Sequence, residues 1–174
     1  MRIPPFPVIT LGVSVAVLAG AWFFQLVVGL VACELCLYER WPWYAAVVIS
    51  GAFLGLRRPE VERYAPALLG LLFLGGFCLA SYHVGVEQKW IAGPDACTSS
   101  IGDGHKAKTI EELTAQIMAA PTVRCDDIQW SLAGVSLAGW DALLYLGMIG
   151  VAWNARTRRP LSCANSAAAA SLTT

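Results

Sequence analysis

The sequence predicts an all-α membrane protein, a four-transmembrane-helix up-and-down bundle that forms a single membrane domain over residues 1–174. Hydrophobic residues make up 57% of the chain and charged residues only 14%, against roughly 25% charged residues in a typical soluble chain. A domain of this size has too much surface for its volume to hide so many apolar side chains from water. The apolar residues also collect in stretches of the length that a bilayer core requires of a helix, about 20 residues.

The predicted spans are about residues 8–32, 41–56, 65–84 and 135–153. Short connections favour antiparallel neighbours, and two outward loops remain, at residues 33–40 and 85–134. In the second loop, Thr109 to Glu112 has the form of a capping box, followed by apolar residues at helical spacing. This pattern predicts a short interfacial helix on the membrane surface.

The distribution of Lys and Arg predicts the orientation. One side of the bundle carries most of the basic residues in short segments, namely Arg2, Arg57, Arg58, Arg63, Arg156, Arg158 and Arg159. Because cytoplasmic segments carry such an excess, we expect both termini in the cytoplasm of a bacterium and the loops on the periplasmic side of its inner membrane. The 12 basic and 12 acidic residues balance, so no nucleic-acid partner is expected.

The cysteines divide between the two sides of the membrane. Those on the outward side are Cys33, Cys36, Cys97 and Cys125. Disulfides form and persist in the oxidising periplasm, so two outward pairs predict two disulfides. Cys78, inside the third span, is expected to be a small buried hydrophobic residue, and Cys163, in the cytoplasmic tail, an ordinary reduced thiol.

The Cys-x-x-Cys spacing of Cys33 and Cys36 favours a redox pair, since its surroundings can make one thiol a good nucleophile. A c-type haem site would require His in place of Leu37. A zinc site would require four ligands, and Cys97 and Cys125 lack the second Cys-x-x-Cys that such sites use. A structural disulfide and a zinc site remain alternatives, but no resident metal is expected.

Two further residues are candidates for the same site. Arg40 follows Cys36 by four residues, so in a helix its guanidinium would share a face with that sulfur, favour its thiolate and steady a carbonyl oxygen. An arginine snorkelling to lipid headgroups is the alternative. His83, near the outer end of the third span, could bind a polar head group or relay a proton, or could be an ordinary interfacial histidine. Glu39 could be an ion-pair partner or solvated, and Asp141 has no evident partner.

The segment from Cys33 to Arg40, with the pattern C-x-x-C-x-Y-E-R at the head of a second span, resembles the quinone-reducing disulfide-bond formation protein B (DsbB) family. The resemblance continues in His83, in a long outward loop with two cysteines, and in the segment from Gln129 to Gly134 before the fourth span. Asp141 departs from the pattern, and the long loop is not closely alike.

The resemblance implies a protein-dithiol:quinone oxidoreductase that sustains disulfide bond formation. Cys97 would be attacked by a reduced periplasmic DsbA-like oxidase, and Cys125, its disulfide partner, would engage Cys33. Cys36 would be the thiolate that contacts ubiquinone or menaquinone from the membrane pool. Arg40 and His83 would hold the quinone head group.

Three other functions are weighed against this one. A vitamin K epoxide reductase-like enzyme would place its Cys-x-x-Cys late in the bundle, whereas here it comes first. A non-catalytic membrane subunit stapled by two structural disulfides would have no quinone-dependent reaction. A zinc-bound membrane scaffold would hold stoichiometric metal on four unreactive thiols.

Overall fold

The computed structural model describes residues 6–56, 63–94, 109–111, 114 and 124–157. The long helices in these residues are α1 (Phe6–Leu26), α2 (Glu34–Leu56), α3 (Ala65–Glu87) and α4 (Leu137–Thr157), and a hairpin is formed by β1 (Ser131–Leu132) and β2 (Val135–Ser136). The predicted all-α class is therefore confirmed for this part of the chain, apart from the hairpin. Two of the helices, α1 and α3, are long and apolar enough to cross a membrane.

The connection between α1 and α2 differs from the prediction. Helix α1 ends at Leu26 rather than at residue 32, and the chain then turns through Gly29, whose positive φ of 80° is a conformation that glycine adopts without strain. Helix α2 begins at Glu34, so most of the predicted outward loop 33–40 is helical. Hydropathy marks where a helix becomes apolar, not where its backbone begins. Cys36, Glu39 and Arg40 consequently lie on rigid helical backbone.

Aromatic side chains fill the centre of the helix assembly. The indole of Trp43 on α2 stacks on the Tyr145 ring of α4, with ring centroids 4.5 Å apart, and the ring of Phe73 from α3 lies 5.4 Å from Trp43. All three side chains are fully buried. Aromatic contacts of this kind contribute beyond the area that they bury, so they fix the helices that carry the site.

The outer faces of the helices are apolar and uncovered. Val48, Leu71 and Trp153, from three different helices, are each about 70% exposed. Apolar surface on this scale is normally covered by another phase or partner, in keeping with helices that face lipid. Cys78 is exposed on α3, so the prediction that its side chain is buried is wrong. It lies on the outer face of this helix, whereas the neighbouring Gly76 and Ala80 face the core.

Only the start of the predicted interfacial helix falls in the described residues. Ile110, Glu111 and Thr114 are helical, and the Thr114 hydroxyl donates a hydrogen bond of 2.8 Å to the carbonyl oxygen of Ile110. The rest of that segment lies outside the described residues, as do Cys97 and Cys163. The position of this helix on the membrane surface stays a prediction.

Gly76 allows the close approach of α3 and α4. A Cβ atom at Gly76 would overlap the ring of Tyr145, whereas one at Gly75 would meet nothing within 4 Å. We expect Gly76→Ala to lower the free energy of unfolding by about 1–3 kcal/mol, the usual cost of overpacking a core. Gly75→Ala, the matched control, should leave it unchanged or slightly raised. Thermal unfolding of both variants in one detergent is the measurement, and equal midpoints would contradict this packing.

Candidate functional site

The Cys33–Cys36 pair forms a disulfide at the first turn of α2, with Cα atoms 5.1 Å apart. Cys33 precedes the helix, and the backbone N–H groups of Cys36 and Leu37 donate to its Sγ at 3.2 Å and its carbonyl oxygen at 3.1 Å. Donation of an N–H to a sulfur at the N-terminus of a helix favours the thiolate once the disulfide opens. The local helix therefore both shapes the disulfide and prepares Cys33 for exchange.

His83 and Glu39 form a buried pair beside this disulfide. His83 Nδ1 lies 2.8 Å from Glu39 Oε1, and His83 Nε2 lies 3.7 Å from the Sγ of Cys33. Both side chains are almost completely buried. An ionised carboxylate only accepts hydrogen bonds, so Nδ1 must donate, and the Nε2 edge is left facing the sulfur. Glu39, which the sequence left undecided, is thus the partner of His83.

Arg40 is directed toward α1. Its Nη1 donates a hydrogen bond of 2.8 Å to the side-chain oxygen of Gln25, and its Cζ lies 5.9 Å from the centroid of the Trp22 ring. Trp22 in turn donates from Nε1 to the hydroxyl of Tyr44 at 3.1 Å. These contacts hold the guanidinium in a defined place, in contrast to a side chain that merely snorkels toward headgroups.

Cys125 belongs to the same buried cluster as Cys33 of this disulfide. Its side chain is a buried free thiol, and it packs with Cys33, Leu35 and Val86 in one cluster. Its backbone also interacts with the ring of His83. Since Cys125 is a free thiol, its expected disulfide with Cys97, which lies outside the described residues, is not formed in this structure. The pairing of these two cysteines during the reaction stays a prediction. The proximity of Cys125 to Cys33 is the geometry that thiol–disulfide exchange between the two loops requires.

The residues directly before and after Cys125 form an ion pair. Arg124 Nε and Nη2 donate to the two carboxylate oxygens of Asp126, each at 2.9 Å. Hydrogen bonds from Arg124 hold the pKa of Asp126 below its usual value, so this carboxylate stays charged across the physiological pH range. The two-pronged contact fixes the turn that presents Cys125.

A cavity of about 360 Å³ lies between α1, the start of α2 and the start of α4. Its apolar wall includes Ala21, Phe24 and Leu144, and its polar atoms come from Cys36, Arg40 and His83, among others. Trp130 closes one side, with its ring centroid 5.0 Å from that of Phe24. An apolar cavity with a few convergent polar groups suits a flat apolar molecule that carries polar substituents.

The hairpin before α4 fixes the segment that closes this cavity. Leu132 pairs with Val135, and the two turn residues, Ala133 and Gly134, have positive φ angles of 53° and 80°, as two-residue hairpin turns require. The indole N–H of Trp140 donates to the carbonyl oxygen of Leu132 at 3.3 Å. The hairpin thereby ties the Trp130 segment to the first turn of α4.

Comparison with known proteins agrees with this geometry. Residues 5–155 match the family described as Disulfide bond formation protein DsbB. The chain belongs to the DsbB family. It is 30% identical to Disulfide bond formation protein B of Nitrosococcus oceani, over 80% of this chain and 84% of that protein. It is 29% identical to Disulfide bond formation protein B 1 of Pseudomonas aeruginosa, over 78% of this chain and 83% of that protein. No solved structure gives a significant match.

Membership of the DsbB family makes this chain a membrane protein of disulfide bond formation, with redox cysteines. Of the residues singled out from the sequence, the structure brings one set together around the cavity or against its disulfide: Cys33, Cys36, Arg40, His83 and Cys125. The position of Cys97 is outside the described residues. Glu39 is part of the C-x-x-C-x-Y-E-R motif, so the motif was a signal for its role in the site. Gln25 lies outside every motif, and its contact with Arg40 was not predicted.

The structure also gives Asp141 a partner. Its Oδ1 accepts a hydrogen bond of 2.9 Å from the indole N–H of Trp43, and its side chain lines the cavity. Asp141 is half-buried, and a carboxylate withdrawn from water is costly unless it is hydrogen-bonded. Ser136 similarly donates from its hydroxyl to the carboxylate of Glu87. The polar residues of this DsbB-family site are therefore paired with groups distant in sequence.

Proposed function

We propose that this protein is a thiol oxidoreductase that reoxidises a periplasmic DsbA-like dithiol oxidase and passes the electrons to a membrane quinone. The observation that carries the proposal is the Cys33–Cys36 disulfide, which lines the cavity while Cys33 shares a buried cluster with the free thiol of Cys125. A disulfide placed between a cavity and a second cysteine can receive electrons from the cysteine and release them into the cavity.

Electron entry is a series of thiol–disulfide exchanges in which thiolates attack and leave. A thiolate of the reduced partner attacks the Cys97 sulfur, and Cys125 leaves as a thiolate. Cys125 then attacks Cys33, and Cys36 leaves as a thiolate. The second partner thiolate releases Cys97, and Cys97 attacks Cys125 and frees Cys33. The partner dithiol has become a disulfide, the Cys97–Cys125 disulfide is restored, and Cys33 and Cys36 hold two electrons and two protons as a dithiol.

The cavity residues fit a quinone. Its apolar wall suits a lipid-soluble ring, Arg40 offers a charged donor to a carbonyl oxygen, and Cys36 and His83 line the same space. When bound, a quinone accepts two electrons and two protons. The Gln25 hydrogen bond and the Trp22 ring hold the Arg40 guanidinium in place before any ligand arrives, which lowers the ordering cost of binding.

The His83–Glu39 pair has a separate task. Since Glu39 fixes the donor at Nδ1, His83 Nε2 can take the proton of the Cys33 thiol, which lies 3.7 Å away, and the adjacent carboxylate stabilises the imidazolium that results. The pair thus moves a proton at a buried site beside the disulfide. Its role would be to make the Cys33 thiolate available for each exchange.

The redox potentials support this direction of flow. DsbA is a strongly oxidising dithiol protein, at about −120 mV, and a DsbA–DsbB–quinone route keeps the bacterial periplasm oxidising. A membrane quinone is the more oxidising acceptor that such a route needs. Two cysteine pairs serve this purpose because one meets a soluble protein and the other meets a lipid-soluble cofactor.

We further propose that all four described helices span the inner membrane, with both termini in the cytoplasm. The exposed apolar residues of α2 and α4, such as Val48 and Trp153, support spans that lie in lipid beside α1 and α3. The excess of Arg in the segments between α2 and α3 and after α4 supports the orientation. The redox cysteines then face the periplasm.

The test uses the purified chain in detergent with a reduced DsbA-like partner, and follows partner thiols with and without ubiquinone or menaquinone. We expect thiol loss that depends on quinone, with one quinone reduced per dithiol. Cys97→Ala should stop electron entry from the protein partner, while a small dithiol still reduces Cys33–Cys36. Cys78→Ala, which changes a cysteine on the outer face of α3, is the matched control and should behave as the wild type.

Two outcomes would count against the proposal. A wild-type chain with no turnover, although its disulfides are intact and its fold is stable, would favour a membrane subunit with structural disulfides. A Cys97→Ala variant that oxidises the partner protein at the normal rate would refute the entry route while leaving quinone reduction in place.

A further inference from the structure

Three side chains at the redox centre carry atoms that bind soft metal ions. The Sγ atoms of Cys33 and Cys36 and a ring nitrogen of His83 all lie within 4.8 Å of one another. Joined in a disulfide, the sulfurs are not thiolate ligands. The turnover proposed above converts them to a dithiol in every cycle, so this ligand set is freed repeatedly.

We propose that the reduced site binds one Zn²⁺ ion through Cys33, Cys36 and His83, and that the bound ion blocks turnover. The inhibition rests on the proposed function, whereas the binding rests only on the ligand geometry. Such a site differs from a resident metal, because oxidation to the disulfide abolishes it.

The spacing of Cys33 and His83 fits tetrahedral zinc, and the two sulfurs, joined here in a disulfide, can separate to zinc-binding distance once reduction breaks their bond. With Zn–S of about 2.3 Å and Zn–N of about 2.0–2.1 Å, a tetrahedral ion places sulfur and nitrogen roughly 3.6 Å apart. The distance between Cys33 Sγ and His83 Nε2 is 3.7 Å. Two cysteines and one histidine form a known three-residue zinc set that leaves the fourth position to water. Since the three residues line the cavity, that position has room.

Neighbouring groups orient these ligands as they do in zinc proteins. Glu39 holds Nδ1 of His83 at 2.8 Å, so Nε2 is the nitrogen that faces the sulfur. A carboxylate behind a histidine ligand fixes its tautomer and raises its basicity. The Cys36 N–H that donates to Cys33 Sγ at 3.2 Å stabilises a thiolate there. Groups outside the three ligands therefore orient the His83 ring and stabilise the Cys33 thiolate for metal binding.

Binding involves protons but no electrons. Zn²⁺ displaces one proton from each thiol, two S–Zn bonds form, and the neutral imidazole donates a lone pair. The oxidation state of the sulfurs does not change. With both thiolates held by the ion, neither can attack a disulfide or release its electrons until a chelator removes the metal.

The experiment titrates Zn²⁺ into the full-length chain, reduced with a phosphine under anaerobic conditions, in competition with a chromophoric chelator. We expect one high-affinity Zn²⁺ per reduced chain that is lost in the disulfide form. His83→Ala should weaken this binding by more than about 100-fold, and Glu39→Gln by about 10- to 100-fold, the usual effect of removing an outer partner. His105→Ala, which removes the other histidine of the chain, should leave it unchanged.

Cobalt distinguishes this site from binding at the remaining cysteines. Co²⁺ in the reduced wild type should show thiolate-to-metal and tetrahedral bands that change in His83→Ala but not in His105→Ala. Identical spectra or identical Zn²⁺ affinities in these two variants would overturn the inference. If quinone-dependent turnover is present but Zn²⁺ neither binds nor inhibits, the inference alone fails. If Zn²⁺ binds as expected but no turnover exists, the metal site stands and the proposed function fails.

Discussion

Replacing Cys36 with serine is expected to abolish quinone-dependent turnover and to leave Cys33 joined to Cys125. Cys33 and Cys125 are buried in one cluster, and Cys36 is the natural partner that normally holds Cys33. Without Cys36, the Cys33 thiolate can attack the Cys97–Cys125 disulfide at Cys125 and release Cys97 as a thiolate. The released Cys97 thiolate can only reverse this exchange, and without Cys36 no second thiol stands beside Cys33 to re-form the Cys33–Cys36 disulfide or to pass electrons to quinone, so turnover stops at this state.

The trapped disulfide can be measured directly. After alkylation and digestion without reductant, the Cys36→Ser variant should yield a peptide pair that joins Cys33 to Cys125, with Cys97 alkylated. Cys78→Ser, the control, should retain the Cys33–Cys36 disulfide. Partner oxidation at the wild-type rate in Cys36→Ser would remove Cys36 from the reaction, and a Cys33–Cys97 product would show that the wrong sulfur was assigned to the exchange.

Much of this site could be predicted from local sequence. The Cys-x-x-Cys spacing predicted a redox pair, and the four-residue separation of Cys36 and Arg40 predicted that both residues lie on one face of a helix. Both residues lie on helix α2, and both side chains line the same cavity. Such predictions succeed because they depend on the backbone of a few neighbouring residues.

Pairings between distant residues could not be predicted. Glu39 and His83 are separated by 44 residues, and Trp43 and Asp141 by 98, so each contact depends on how α3 and α4 pack against α2. Arg40 was expected to lie toward the Cys36 sulfur, yet its hydrogen bond goes to Gln25 of α1. Gln25 is a polar residue within the first apolar stretch, but hydropathy does not indicate which residue it contacts. Partners of this kind are set by the packing of helices, which periodicity does not encode.

Arg40→Ala is expected to weaken the use of quinone while leaving the dithiol–disulfide chemistry intact. Arg40 is the cavity's charged donor, and Gln25 and the Trp22 ring already hold it in position. A hydrogen bond from a charged group to a buried acceptor contributes about 1.5–3 kcal/mol. Its loss should therefore reduce kcat/KM for quinone by about 10- to 100-fold. Reduction of the cysteines by the protein partner, which does not involve the guanidinium, should proceed at the normal rate.

The decisive comparison uses three further variants. Arg40→Lys keeps the charge but not the planar fork, so it should recover only part of the loss. Gln25→Ala frees the guanidinium without removing it, and should raise KM for quinone more than it lowers kcat. Arg63→Ala changes an arginine stacked on Tyr64 beside the opposite end of α3, and should leave both constants unaltered. Wild-type constants in Arg40→Ala would assign this residue to the lipid headgroups, because a side chain that only anchors the helix at the interface contributes nothing to the binding of a ligand in the cavity.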